Sequence, residues 1–257
     1  MILASKHALV FAATGGIGSE VARTFAREGA HVWLSGRDAA RLEALADEIR
    51  AAGGAATAET LDATDSAAIS AYVDRVAASA GQIDVCFNAI GLPPTELGYP
   101  AESATQDRDQ FMKPLEVILG STFLTSRAAA AQMAHQGGGA IVTLSATLSG
   151  MTAGFMAGIS ATCGAIEALT RSLAGEFGHA GVRVNCVRGS AMIETRTIRE
   201  TSAGLAALGY VQQMVAPPLG RPITIGETAA TAAFLASDLA SGMTGQVVTV
   251  CAGAFVG

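Results

Sequence analysis

A doubly wound α/β domain is the fold class this 257-residue chain predicts, with a parallel sheet of about seven strands and helices on both faces. Three observations carry that prediction. Apolar stretches of strand length recur near residues 7–13, 30–35, 56–61, 83–88, 139–145, 182–188 and 246–251, and helical patterns separate nearly all of them. Such alternation requires parallel strands joined by right-handed crossovers. Half the residues are apolar and only 15% are charged, with Ala, Val, Leu and Ile dominant, as a sheet buried on both faces needs. Finally, residues 8–38, ALVFAATGGIGSEVARTFAREGAHVWLSGRD, read as strand, glycine-dense turn, amphipathic helix and second strand.

That third stretch is also a dinucleotide-binding arrangement of the Rossmann type. Gly16 and Gly18 let the backbone approach a pyrophosphate, and the free amides and positive dipole end of the following helix face its charge. Val21, Ala22, Phe25 and Ala26 recur at helical spacing toward the sheet, Glu20, Arg23, Arg27 and Glu28 point outward, and Gly29 ends the helix.

The rest of the chain suits a single domain over residues 1–257, without repeat or linker. A net charge of −6 and the lack of any basic run argue against nucleic acid as a partner. No apolar run is long enough for a membrane span and the leader MILASK is too short for a secretory signal, so a cytoplasmic location is expected. Cys86, Cys163, Cys186 and Cys251 have no metal-ligand spacing; they read as buried thiols, three of them in strands, and no metal is expected. His7, His31, His135 and His179 fall at strand starts or helix ends and read as structural. Two long connections break the rhythm: Gly91 to about Asp109, and Gly189 to about Ile225. Long excursions of this kind are commonly lids, and residues 190–225 are expected to cover a substrate.

With these features in place, the whole chain resembles the short-chain dehydrogenase/reductase family. TGGIG at 14–18, LDATD around Asp62, DVCFNAIG at 84–91, GAIVTLSA at 139–146, LTRSLAGEF at 169–177, GVRVNCV at 181–187 and FLASDLASGMTGQVVTV at 234–250 carry the resemblance. It implies cofactor contacts from Ala12, Thr14, Gly15, Gly16, Ile17, Gly18, Arg37, Asp62, Ala63, Asn88, Ala89, Ile90 and Gly189. The family's first turn glycine falls on Ala12 and its threonine on Phe11; the extra methyl costs little unless the backbone there needs positive φ. Arg37 follows the second strand with no acid on Ser35 or Gly36 to hold a ribose, which favours NADP(H) over NAD(H), although Asp38 adjoins it. The only tryptophan, Trp33, is expected beside the adenosine pocket.

The family's catalytic asparagine, serine, tyrosine and lysine fall on Ile118, Ala146, Ile159 and Cys163. The tyrosines are Tyr72, Tyr99 and Tyr210 and the lysines Lys6 and Lys113, so no Tyr-x-x-x-Lys exists. Replacement acids must come from residues near strand ends, with Glu194, Tyr99 and Cys163 as the catalytic candidates. Each also has a bland reading: Glu194 as an exposed helical charge, Tyr99 as loop packing, Cys163 as a small buried hydrophobe. Ser145 should point away from the site. Arg188 could pair with an acidic substrate group or lie on the surface. Ala146, Ile159, Met192, Ile193 and Thr195 are the expected substrate pocket, under an apolar lid carrying Ile198, Leu205, Leu208, Tyr210, Val211 and Met214.

The resulting expectation is an NADP(H)-binding oxidoreductase with an atypical site. It would act on a hydrophobic imine, enone or activated carbonyl rather than a simple ketone. A non-redox isomerase, lyase or cyclase on the same fold, or a non-catalytic binding subunit, are the alternatives. The resemblance also implies a homotetramer, or failing that a dimer, paired through helices near 107–136 and 156–178.

Overall fold

The structure is a computed structural model that describes residues 1–210 and 216–255. Seven parallel strands, β1 (His7–Phe11), β2 (His31–Gly36), β3 (Ala55–Thr60), β4 (Val85–Asn88), β5 (Gly139–Ala146), β6 (Val182–Gly189) and β7 (Val247–Val250), form one sheet in the order β3-β2-β1-β4-β5-β6-β7. The strand order reverses between β1 and β4, which places the ligand crevice at their carboxyl ends.

Side-chain alternation sends residues of each inner strand to two separate cores. Ala8 and Val10 of β1 pack with helices α1 (Gly16–Arg27), α2 (Ala39–Ala51) and α9 (Ile225–Ala236), whereas Leu9 and Phe11 pack with α3 (Ser66–Ala80), α6 (Gly120–Gln136) and α7 (Ala157–Phe177). Val21, Ala22, Phe25 and Ala26 are all buried, as their spacing predicts. Edge-on aromatic pairs anchor both cores: Phe25 with Phe87 on one face, Phe11 with Tyr72 on the other.

The expected 107–136 helix is interrupted. Pro114 ends α5 (Arg108–Pro114), and a π turn at Leu115–Leu119 leads into α6. Proline lacks the amide that the regular ladder uses. Within the turn, the Ile118 carbonyl accepts from the Ser121 and Thr122 hydroxyls, at 3.1 and 2.7 Å. The first long connection contains a short helix, α4 (Pro94–Leu97), and the second contains α8 (Arg196–Ala207). All four cysteines are buried and free, but Cys251 falls one residue beyond β7, so two rather than three lie in strands. Among the described residues no helix is long and apolar enough to cross a membrane.

Candidate active site

The carboxyl end of β1 turns sharply through residues held by backbone contacts. Ala12 adopts φ 55°, and its carbonyl accepts from the Gly15 amide at 3.1 Å. The condition attached to the extra methyl is therefore met: Ala12 sits in the left-handed region, at a cost of about 1–2 kcal/mol relative to an unstrained backbone. A Cβ on Gly18 would lie 2.4 Å from the Ala12 carbonyl oxygen, so only glycine permits this approach. Helix α1 starts after Gly15 without a side-chain cap. No group among the described residues accepts from the amides of Gly16, Ile17 and Gly18, and that bare helix terminus at the crevice fits a pyrophosphate. Arg41, which sequence reasoning missed, donates to the Thr14 carbonyl at 2.8 Å and braces the turn.

The remaining residues expected to meet a cofactor lie along the same edge. Asp62 accepts from the Thr64 amide and hydroxyl at 2.9 and 2.8 Å; these bonds, with the nearby Arg37 charge, hold its carboxyl below the usual range. Asp38 caps α2, one carboxylate oxygen accepting from the Arg41 amide at 3.1 Å. Arg37 is exposed beside them. Asn88 is fixed at both ends of its amide: Nδ2 donates to Thr125 Oγ1 and Oδ1 accepts from the Ile90 amide, each at 2.8 Å. The Ala89 amide bonds the Phe11 carbonyl, Ala63 and Ile90 pack on the core beneath, and Gly189 pairs with Ala146 and Val250.

Ile118, Ala146, Ile159 and Cys163 do meet, in an apolar cluster completed by Leu97, Tyr99 and Met156. Burial pushes the Cys163 thiol up to about 11, so at neutral pH it packs as a thiol and is no nucleophile. Burial likewise raises the Tyr99 phenol, and the neighbouring Cys163 and Glu200 add to the shift. Tyr99 is 6% exposed and stays protonated at neutral pH.

The other expected pocket residues lie outside that cluster, with the Met192 methyl against Gly189. Met192 packs with Ile223 and Ala252 against Ile17 of the turn, Ile193 is 51% exposed, and Thr195 caps α8 by accepting from the Ile198 amide. Glu194 accepts from the Ile225 amide at 2.9 Å, tying the connection to the start of α9 rather than facing Ile159. Within the expected lid Leu205 is buried and Tyr210 meets Phe155 edge-on, while Val211 and Met214 lie outside the described residues. Trp33 is not at the adenosine end: it stacks on His31 and donates to His7 Nδ1 at 3.3 Å, toward the opposite edge of the sheet.

The comparisons with known proteins agree with this geometry. Residues 11–254 match the family model described as enoyl-(acyl carrier protein) reductase. The chain belongs to the short-chain dehydrogenase/reductase family. It is 34% identical to the uncharacterized oxidoreductase YxbG of Bacillus subtilis, over 98% of this chain and 91% of that protein. A 7α-hydroxysteroid dehydrogenase complexed with NADH and 7-oxo glycochenodeoxycholic acid superposes with a TM-score of 0.85 at 29% identity, covering 98% of this chain and 94% of that one. A gluconate 5-dehydrogenase from Burkholderia cenocepacia in complex with NADP and tartrate gives 0.85 at 26% identity, with coverage of 98% and 95%.

This short-chain dehydrogenase/reductase also contains a charge pair that the sequence reading did not find. Arg188 is neither on the surface nor turned to a substrate. Its Nε and Nη2 donate to both carboxylate oxygens of Glu167 at 2.8 and 2.7 Å, and the two side chains are 12% and 7% exposed. Ser145, opposite Arg188 in the β5–β6 register, donates to Glu167 Oε1 at 2.9 Å, and the Phe255 ring lies 5.1 Å from the guanidinium. Burial opposes ionisation of Glu167, but the Arg188 and Ser145 bonds outweigh it and hold the carboxyl below its ordinary value. A carboxyl lowered in the folded state stabilises the fold above its unfolded value of about 4.3, and that contribution disappears as pH falls through the folded value. Glu167→Ala should therefore cost about 3–5 kcal/mol in urea denaturation at pH 7 by removing the anion that neutralises a buried guanidinium. The gap to the parent protein should narrow below about pH 4.

Proposed function

We propose that this NAD(P)-dependent oxidoreductase uses NADP(H) and acts on a hydrophobic imine, enone or otherwise activated carbonyl, without a phenol–ammonium proton donor. The observation that carries the reading is the apolar cluster in which Ile118, Ala146, Ile159 and Cys163 pack together. When bound, the reduced nicotinamide would supply a hydride. The turn at Ala12–Gly18 would bind its pyrophosphate through backbone amides, Asp62 and Asn88 would frame the adenosine side, and Gly189 would leave room at the other end. Arg37, exposed beside Asp62, would meet the 2′-phosphate.

A positioned general acid typically supplies about 10²–10⁴ in rate. A simple ketone, whose oxygen must be protonated as hydride arrives, would lose most of that factor here. An imine already protonated, or an enone whose carbanion takes a proton from water afterwards, would lose least. Residues 190–225 serve as the substrate loop in this reading, with Leu205 and Tyr210 flanking a small space beside Leu148 and Met156. Four free thiols suit a reducing, cytoplasmic setting. An open apolar groove of about 500 Å³ lined by Met112, Leu115, Leu119, Phe123, Ala165 and Leu169 on the α5–α6–α7 face supports self-association as a homotetramer, with small-molecule substrates as the remaining partner.

Three outcomes are expected. Calorimetry should show NADPH binding, and Arg37→Ala should weaken it about tenfold or more while leaving NADH affinity unchanged. Across matched panels followed by loss of nicotinamide absorbance, imines and enones should exceed simple ketones in kcat/KM; equal or better ketone turnover would reject the atypical mechanism. Light scattering should give a mass four times that of the chain, and Phe123→Glu should lower it.

A further inference from the structure

Three connections meet above the apolar cluster, and each is fastened to the other two. The connection after β4 is tied to the one after β5 where the Ala101 amide donates to the Phe155 carbonyl at 2.9 Å. The one after β5 is tied to the one after β6 by the edge-on rings of Phe155 and Tyr210, whose centroids lie 5.3 Å apart. The one after β6 closes on the one after β4 at Gly204: a Cβ there would come within 2.8 Å of the Pro100 ring, so α8 would not lie this close with any larger residue. Local sequence aims Tyr210 at this junction. Gly209, at φ 74°, ends α8 in the left-handed region, and the Tyr210 amide returns to the Leu205 carbonyl at 2.9 Å. Beneath the junction lies a space of about 40 Å³ lined by Leu148, Thr152, Met156, Leu205 and Tyr210. Leu148 and Met156 also belong to the cluster that holds Ala146 and Ile159, so the space adjoins the positions on which the family's serine and tyrosine fall. It has room for about three water-sized groups, at roughly 10–15 Å³ each.

We propose that these three connections form one roof that opens as a unit, and that Tyr210 and Gly204 make the site selective for substrates whose group beneath the roof is no larger than about three heavy atoms. This rests on the reading of the space as part of the substrate pocket, and it narrows the substrate class to small imines, enones or activated carbonyls. A short alkyl group fills the space and displaces the water it would otherwise hold. A phenyl ring enters only if Tyr210 leaves Phe155 or α8 lifts from Pro100. Because each connection holds the other two, lifting one breaks its contacts with both. Selectivity for size thus follows from how the connections pack on one another rather than from any single wall of the pocket.

Hydrogen exchange on the free protein reads the roof itself. The Ala101 amide should exchange about tenfold faster in Tyr210→Ala and in Gly204→Ala, although both substitutions lie on another connection. Alanine is the better helix former, so loosening by Gly204→Ala reflects collision with Pro100 and not a weaker α8. Turnover of 2-methyl-, 2-propyl- and 2-phenyl-1-pyrroline with NADPH reads the size limit. In the parent protein kcat/KM should drop about tenfold or more from propyl to phenyl, and Tyr210→Ala should bring the two within about threefold, whereas a general loss of folding would lower both together. Unchanged Ala101 exchange in both variants, equal use of the propyl and phenyl substrates by the parent, or a ratio that survives Tyr210→Ala overturns the proposal. If no pyrroline turns over, the imine reading falls and takes the size limit with it, while the exchange result alone decides whether the roof is one unit.

Discussion

The bidentate bond between Glu167 and Arg188 sets the conditions for everything at the carboxyl edge of β5 and β6. Two ions so deeply buried are tolerable because each satisfies the other, Ser145 takes a further lone pair and Thr249 Oγ1 lies 3.5 Å from Arg188 Nη1. The bond links α7 to β6 one turn past Cys163 and one residue before Gly189, and so fixes the spacing between the pocket wall and the expected nicotinamide end. Because the two charges cancel, they add little net field to the cluster at Ile159. What charge the pocket senses must come from its rim.

The two halves of the site tolerate change differently. The phosphate turn is built from backbone: a left-handed residue, a glycine at close approach and a bare helix terminus. Phe11 and Ala12 alter side chains without removing any of those groups, and the strain at Ala12 is a local cost that packing of β1 can absorb. Proton delivery, by contrast, is a property of side chains alone. On the proposed reading, Ile118, Ala146, Ile159 and Cys163 can therefore turn apolar while the sheet, the crossovers and the cofactor edge stay as they are.

The same division explains what could be read from the sequence. Strands appeared as apolar runs because parallel sheets bury both faces, and all seven lie within a few residues of their expected places. The turn was legible because local spacing specifies it, and Asn88 through the family resemblance. Glu167 and Arg188 were not, being 21 residues apart on a helix and a strand whose contact only the fold creates. Glu194, Met192 and Ile193 were expected in the pocket because they follow β6, yet chain direction alone does not say which cluster a side chain enters. Met192 turned to Ile17, and Glu194 found an uncapped amide at Ile225. Trp33 was misplaced for a similar reason: its strand position was right, but its ring leans back to His31 and His7. Pro114 was visible in the sequence, although the π turn after it was not.

If the cofactor edge is specified by backbone and the interior of the pocket is apolar, reaction class must be decided by whatever polar groups the two long connections bring to the rim. The connection after β4 supplies Tyr99, and the one after β6 supplies Tyr210, beside Leu148 and Met156. Both arrive from segments that the sheet constrains only at their ends, so either can change without disturbing the fold.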